Sequence, residues 1–342
     1  MLIDNVRCRP ASASLEPEWL AAAREAKGSQ QVLSIDCSQP DADCAAHGAT
    51  VFPAIFLLQS DRPAVQYRGP RRAAALLHFI SRHTRPAVSE RLDADGLAAF
   101  KTADETVFVA YLDADDHGSA AMFRSVAERY RDEFTFGTVT DPVVAEAQGA
   151  KAPAVICYKP IDGDTVTLKG FQATEELDAW VKEASRAVIG ELTVLNRQRL
   201  LDRGWPMVYL FGATESERQR LRKSLYRFAR SYYDSLTSVV VDPFEFPDLM
   251  SQLGLEPDVF PAGAVHQLSE DRIYPYPKGQ SLSPDSLQQW ALDVYQGRIK
   301  PWAPPGVTTT HEDLGPARAA TRKMSTASIP GVKIMVGGHD EL

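Results

Sequence analysis

Several common chemistries are missing from this chain. No two of its four cysteines, Cys8, Cys37, Cys44 and Cys157, are separated by two residues, so there is no CxxC pair. Dithiol exchange needs an attacking thiolate and a resolving thiol within reach, and many zinc sites are built on the same spacing; the cysteine positions argue against both. No apolar run approaches the ~20 residues of a membrane-spanning helix. Basic residues are not in excess: 37 Lys and Arg stand against 45 Asp and Glu, a net charge of −8. That argues against a general nucleic-acid binder, which needs a basic face to neutralise phosphates. GxSxG, P-loop and Rossmann glycine patterns are absent and the histidines are scattered, so no cofactor and no metal site is expected.

What is present is an ordinary globular balance, 44% hydrophobic and 24% charged over 342 residues, long enough for two or three domains. The order strand, helix, strand, helix, strand, strand, helix recurs three times. In residues 1–84 it runs through strands at Leu2–Val6, Gln31–Asp36, Phe52–Leu58 and Ala64–Arg68, and helices at Leu15–Ala26, Asp41–His47 and Arg71–His83. In 88–186 the central strands are Thr106–Leu112, Thr135–Val139, Pro153–Tyr158 and Thr165–Lys169, closed by a helix from Thr174, read as its N-cap. In 190–300 they are Met207–Phe211, Thr237–Asp242, Pro261–Gln267 and Asp271–Pro275, around a long helix Glu215–Tyr233. Its closing helix is capped by Ser283 with Pro284 at the first position. The fold class is therefore α/β: three tandem thioredoxin-like domains, each a four- to five-stranded mixed sheet flanked by helices. Residues 301–342, rich in proline and polar residues, read as an extended tail with one strand-like run, Val332–Val336.

The chain ends in His339-Asp340-Glu341-Leu342, an address of the type read by the endoplasmic-reticulum retrieval receptor. The lumen of that compartment is the expected location, although Met1–Val6 shows no basic n-region followed by a long apolar h-region. An oxidising compartment favours a local disulfide between Cys37 and Cys44 across a turn-forming stretch; two free thiols is the alternative. Cys157, in an apolar strand, reads as an inert core residue.

Several segments together resemble the protein disulfide isomerase family. Ile35-Asp36-Cys37 through Cys44-Ala45-Ala46-His47-Gly48 is similar to a stretch of its first catalytic domain, and Phe52-Pro53 and Tyr67-Arg68-Gly69 to two further elements. Pro86-Ala87-Val88 resembles the strand leading into the b-type domain, and Tyr295–Pro301 the close of the b′-type domain. Gly331–Gly337 resembles the opening of a second catalytic domain. Glu16-Pro17-Glu18-Trp19 marks the helix that follows the family's CGHC motif. Counting back places Arg9-Pro10-Ala11-Ser12, or Cys8 to Ala11, where that motif belongs, so the dithiol is lost in either register. The resemblance implies a cis-proline at Pro53, with Pro153 and Pro261 at the equivalent strand starts.

The resemblance also implies a peptide-binding groove in the third unit. The residues nominated for it are Met207, Tyr209, Phe211, Leu225, Phe228, Val239, Val241 and Phe260; alternating apolar residues also build any core. For catalysis the candidates are few: Cys8 as a lone thiol, and His266 or Tyr209 as an acid–base group. The leading expectation is a redox-inactive relative that binds unfolded polypeptide, or a small apolar ligand, through the third unit. The alternatives are a non-redox cyclase or isomerase reusing the groove, and a scaffold subunit for a partner enzyme.

Overall fold

The computed structural model describes residues 2–4, 10–37, 49, 52–59 and 62–304. Three mixed sheets follow one another along the chain. In the first, β1 (Leu2–Asp4) runs parallel to β2 (Ser34–Asp36) and antiparallel to β3 (Ala54–Gln59), which pairs with β4 (Arg62–Tyr67). Among the described residues two helices cover it, α1 (Pro10–Glu25) and α2 (Ala73–Thr84). Helix α1 starts at Pro10 rather than at Leu15, with Pro17 inside it. A proline is tolerated at a helix start because the first N–H groups have no intrahelical partner. Leu15, Trp19 and Ala22 form its buried stripe, packed with Ile55, Leu76 and Phe79. The helix expected over 41–47 lies outside the described residues.

The second sheet has the order β5 (Val88–Ser89), β7 (Thr135–Val139), β6 (Val107–Tyr111), β8 (Ala154–Lys159), β9 (Asp164–Lys169). Its helices are α3 (Ala94–Phe100), α4 (His117–Arg129), α5 (Pro142–Ala147) and α6 (Thr174–Ala184). The period of two on β6 divides two core layers. Phe108 and Ala110 face Phe123, Phe136 and Val181, whereas Val107, Val109 and Tyr111 face Leu97 and Phe100. Thr174 is not the N-cap of α6: Ala173 is the extended residue before it, and Thr174 is already helical. Helix α3, absent from the sequence reading, is capped by Asp93, whose carboxylate accepts the Gly96 N–H at 2.7 Å.

The third sheet repeats the order with β10 (Gly190–Glu191), β12 (Thr237–Val241), β11 (Met207–Phe211), β13 (Ala262–Gln267) and β14 (Arg272–Pro275). Around it lie α7 (Arg197–Asp202), α8 (Glu215–Ser231), α9 (Leu249–Gln252) and α10 (Pro284–Tyr295). Thr214 and Glu217 close a reciprocal capping box on α8, and Ser283 caps α10 ahead of Pro284. Just after α10 the chain pairs back onto β14: the Trp302 N–H donates to the Ile273 carbonyl at 2.8 Å in an antiparallel bridge, and the rest of the expected tail beyond residue 304 lies outside the described residues. The Trp302 indole lies over Gly254, which has φ +70°; a Cβ there would fall 2.5 Å from the ring. Only glycine meets both conditions.

Candidate functional site

The first turn of α1 is where the resemblance places a dithiol, and it carries Pro10, Ala11 and a buried Ser12. Cys8 lies outside the described residues. Phe52–Pro53, Ala152–Pro153 and Phe260–Pro261 are all cis peptide bonds. Cys37 is disulfide-bonded, while its expected partner Cys44 lies outside the described residues, as do His339–Leu342 and Val332–Val336. Cys157 is free and sealed in the second core, its thiol 3.5 Å from the Ala184 carbonyl. Burial pushes that thiol up to about 12, which leaves no thiolate at neutral pH.

The nominated groove of the third unit is interior. Met207, Tyr209, Phe211, Val239 and Val241 pack against Phe246, Leu249 and Met250, with Phe260 half-buried at the edge. Leu225 and Phe228 belong to the other core layer, with Val208, Leu210 and Trp290. The sheet separates the two groups, so they do not line one surface. Burial also pushes the Tyr209 phenol up to about 12, which removes it as an acid–base group near neutrality. His266 stands at the end of β13 with its Nε2 2.8 Å from the exposed Asp271 carboxylate.

An apolar cavity opens instead in the first unit, with a volume of about 320 Å³. Trp19 of α1, Val32 and Leu33 before β2, Ile55 and Leu57 of β3, and Phe79 of α2 form its walls. Trp19 is held by its indole N–H, which donates to Ser34 Oγ at 3.0 Å. Leu33 and Leu58 on the same cavity are 54% and 44% exposed. Exposed leucines beside an apolar opening are costly unless something covers them. The sequence signal was the unbroken apolar run Ala54–Leu58, longer than the alternation of a half-solvated strand.

A second cavity, about 550 Å³, lies where the three units meet and is lined by charged side chains interleaved with apolar ones. Arg72, ahead of α2, binds both neighbouring units. Its Nε donates to Glu191 Oε2 at 3.1 Å, and its terminal nitrogens hold Glu105 bidentately. Arg222 adds a 2.7 Å bond to Glu191. Burial opposes the Glu191 charge, but Arg222, Arg72 and Arg218 outweigh it and hold the carboxyl down to about 2. Nearby, Asp104 takes Arg82 at 2.5 Å, His78 at 3.1 Å and Thr135 at 2.7 Å, tying α2 to β7.

The thioredoxin-like domain family matches residues 112–293. The protein disulfide-isomerase of Humicola insolens is 31% identical over 290 residues, which are 84% of this chain and 57% of that protein. The enzyme of the same name from Aspergillus niger is 25% identical over 289 residues, 84% of this chain and 56% of that one. The chain thus spans somewhat over half the length of these curated relatives. Among solved structures, the bb fragment of ERp72 is 15% identical with a TM-score of 0.49, covering 64% of this chain and all of that fragment.

Proposed function

The chain belongs to the protein disulfide isomerase family of thioredoxin-like proteins, and from that premise we propose that it binds apolar segments of unfolded polypeptide, or a small apolar ligand, without exchanging disulfides. The proposed location is the lumen of the endoplasmic reticulum, in keeping with the retrieval-type residues His339–Leu342. What carries the reading is the first turn of α1: Ser12 in one register, Ala11 in the other, stands where the resemblance puts the resolving thiol. Binding without redox chemistry needs only a concave apolar surface. The cavity bounded by Trp19, Leu33, Leu57 and Phe79 supplies one, and it favours the first unit over the third as the working surface.

The test is an aggregation assay beside a reductase assay. The protein should suppress aggregation of a chemically denatured reporter at near-stoichiometric amounts and leave insulin unreduced. Insulin reduction above a buffer blank, or no suppression at any ratio, overturns the reading.

A further inference from the structure

Each of the three sheets ends on an antiparallel strand with one free side: β4, β9 and β14. Proteins blunt such edges, because a row of unpaired N–H and C=O groups templates another strand. Two of the three are blunted. Strand β4 carries Pro63, which has no N–H, and its ladder to β3 slips register between Leu57 and Gln59. Strand β14 is four residues long, ends in Pro275, and has the outer carbonyl of Ile273 taken by the Trp302 N–H. The opposite edges, β2, β5 and β10, are only two or three residues long.

Strand β9 has none of these devices. Its six residues pair with β8 without a break, contain no proline and include the β-branched Thr165, Val166 and Thr167. The Gly170 N–H donates to the Pro153 carbonyl at 2.9 Å, which sets the phase of that ladder. Asp164, Val166 and Leu168 therefore turn their backbone groups to β8, whereas Thr165, Thr167 and Lys169, all exposed, turn theirs away. The Asp164 carboxylate accepts the Thr165 N–H at 3.1 Å, but among the described residues nothing accepts from the Thr167 or Lys169 N–H.

We propose that β9 is a docking edge for a second copy of this chain, the two β9 strands pairing antiparallel about a two-fold axis at Thr167. The occupant follows from the phase and the sequence. Only residues whose backbone groups face outward can share hydrogen bonds across the new ladder. The register that engages all three of them sets Thr167 opposite Thr167 of the partner subunit, and Thr165 opposite Lys169 of the partner subunit. Thr167 then exchanges both of its backbone bonds across the axis, and the Lys169 N–H meets the carbonyl of Thr165 of the partner subunit. On the face that packs on the second core, Val166 lies beside Leu168 of the partner subunit; on the other face two threonines meet at the axis. No like charges oppose one another, since Lys169 has a threonine across from it and Asp164 has Gly170 of the partner subunit. The strand is thus complementary to itself, and two five-stranded sheets become one continuous sheet.

The experiment measures mass against concentration for the whole chain by analytical ultracentrifugation, from about 1 µM to about 1 mM, with hydrogen exchange of β9 followed alongside. The wild type should reach twice the monomer mass, and the Thr167 and Lys169 amides should exchange more slowly as concentration rises. The Thr167 side chain is exposed, so replacing it leaves the fold in place. Thr167→Lys and Thr167→Glu each set like charges across the axis and should raise the dissociation constant about tenfold. An equimolar mixture of the two sets Lys against Glu and should restore association. A wild type that is monomeric throughout overturns the proposal; if its Thr167 and Lys169 amides are protected at every concentration, another segment of this chain covers the edge instead. Association that is unchanged in either variant, or that mixing does not restore, overturns it as well.

Discussion

Arg72 and Glu191 meet at 3.1 Å across 119 residues of chain, and both are almost wholly buried. The pair joins the first unit to the opening strand of the third, and Arg72 reaches Glu105 of the second unit as well. Removing one partner of such a pair leaves an uncompensated buried charge. Arg72→Ala is expected to cost about 3–5 kcal/mol, because Glu191 and Glu105 then lose a partner they share. Arg72→Met with Glu191→Met should cost less than the sum of the two single changes. Urea denaturation of the four proteins checks this; strict additivity would mean that the two groups do not stabilise one another.

Acid should weaken the junction between the first and second units through Asp104. Burial works against its charge, but His78, Arg82 and Thr135 outweigh burial and hold the carboxyl down to about 2. A carboxyl depressed in the folded state adds stability that is present above the ordinary carboxylate range and lost as pH falls towards 2. The loss between pH ~4 and ~2 is expected to be about 2 kcal/mol. Urea midpoints across that range should fall steeply in the wild type and less steeply in Asp104→Asn. Equal slopes would show that another group governs the acid limb.

Cys157 gives a prediction about labelling. Its thiol lies in the second core, with burial pushing it up to about 12. Iodoacetamide at pH ~8 should leave it unmodified in the native protein and label it once denaturant opens the second unit. Mass spectrometry of the digest decides; rapid native labelling would mean that this core opens far below the unfolding transition.

Strand and helix order was readable from the sequence because most of these elements bury one face or both. The wholly apolar run Met207–Phe211 and the capping residue Ser283 with Pro284 after it gave clear local signals. Other short elements were not readable: β10, α3 and α7 owe their existence to pairing and packing with distant residues rather than to a local period, and β5 was reached only through the resemblance at Pro86-Ala87-Val88. The third-unit stripe shows the opposite difficulty. Leu225 and Phe228 share a helix face, and Tyr209 and Phe211 share a strand face, but nothing in the pattern says that the two faces lie on opposite sides of one sheet. The Arg72 cluster was missed for a related reason. Arginines and glutamates in a sequence look solvated, and their burial appears only when units separated by 119 residues are brought together.

The apolar cavity and the apolar stripe make opposing predictions about substitution. Phe228 is 7% exposed and Tyr209 is 4% exposed, each in a packed core layer. Phe228→Ala or Tyr209→Ala should therefore cost ~3–5 kcal/mol of stability through the cavity each leaves. Neither should change binding of an apolar peptide under conditions where the variant is still folded. Leu33 is mostly exposed at the first-unit opening, so Leu33→Asp should scarcely change stability, within about 0.5 kcal/mol. The same change places a charge at the mouth of the apolar cavity and should weaken binding by more than ~1 kcal/mol, since a bound apolar segment would have to desolvate it. Fluorescence titration with a labelled apolar peptide and thermal unfolding, run on the same preparations, separate the two effects. If Leu33→Asp binds as the wild type does while folded Phe228→Ala does not, the working surface belongs to the third unit, because the only change that touched binding would then be the one on that side of the molecule.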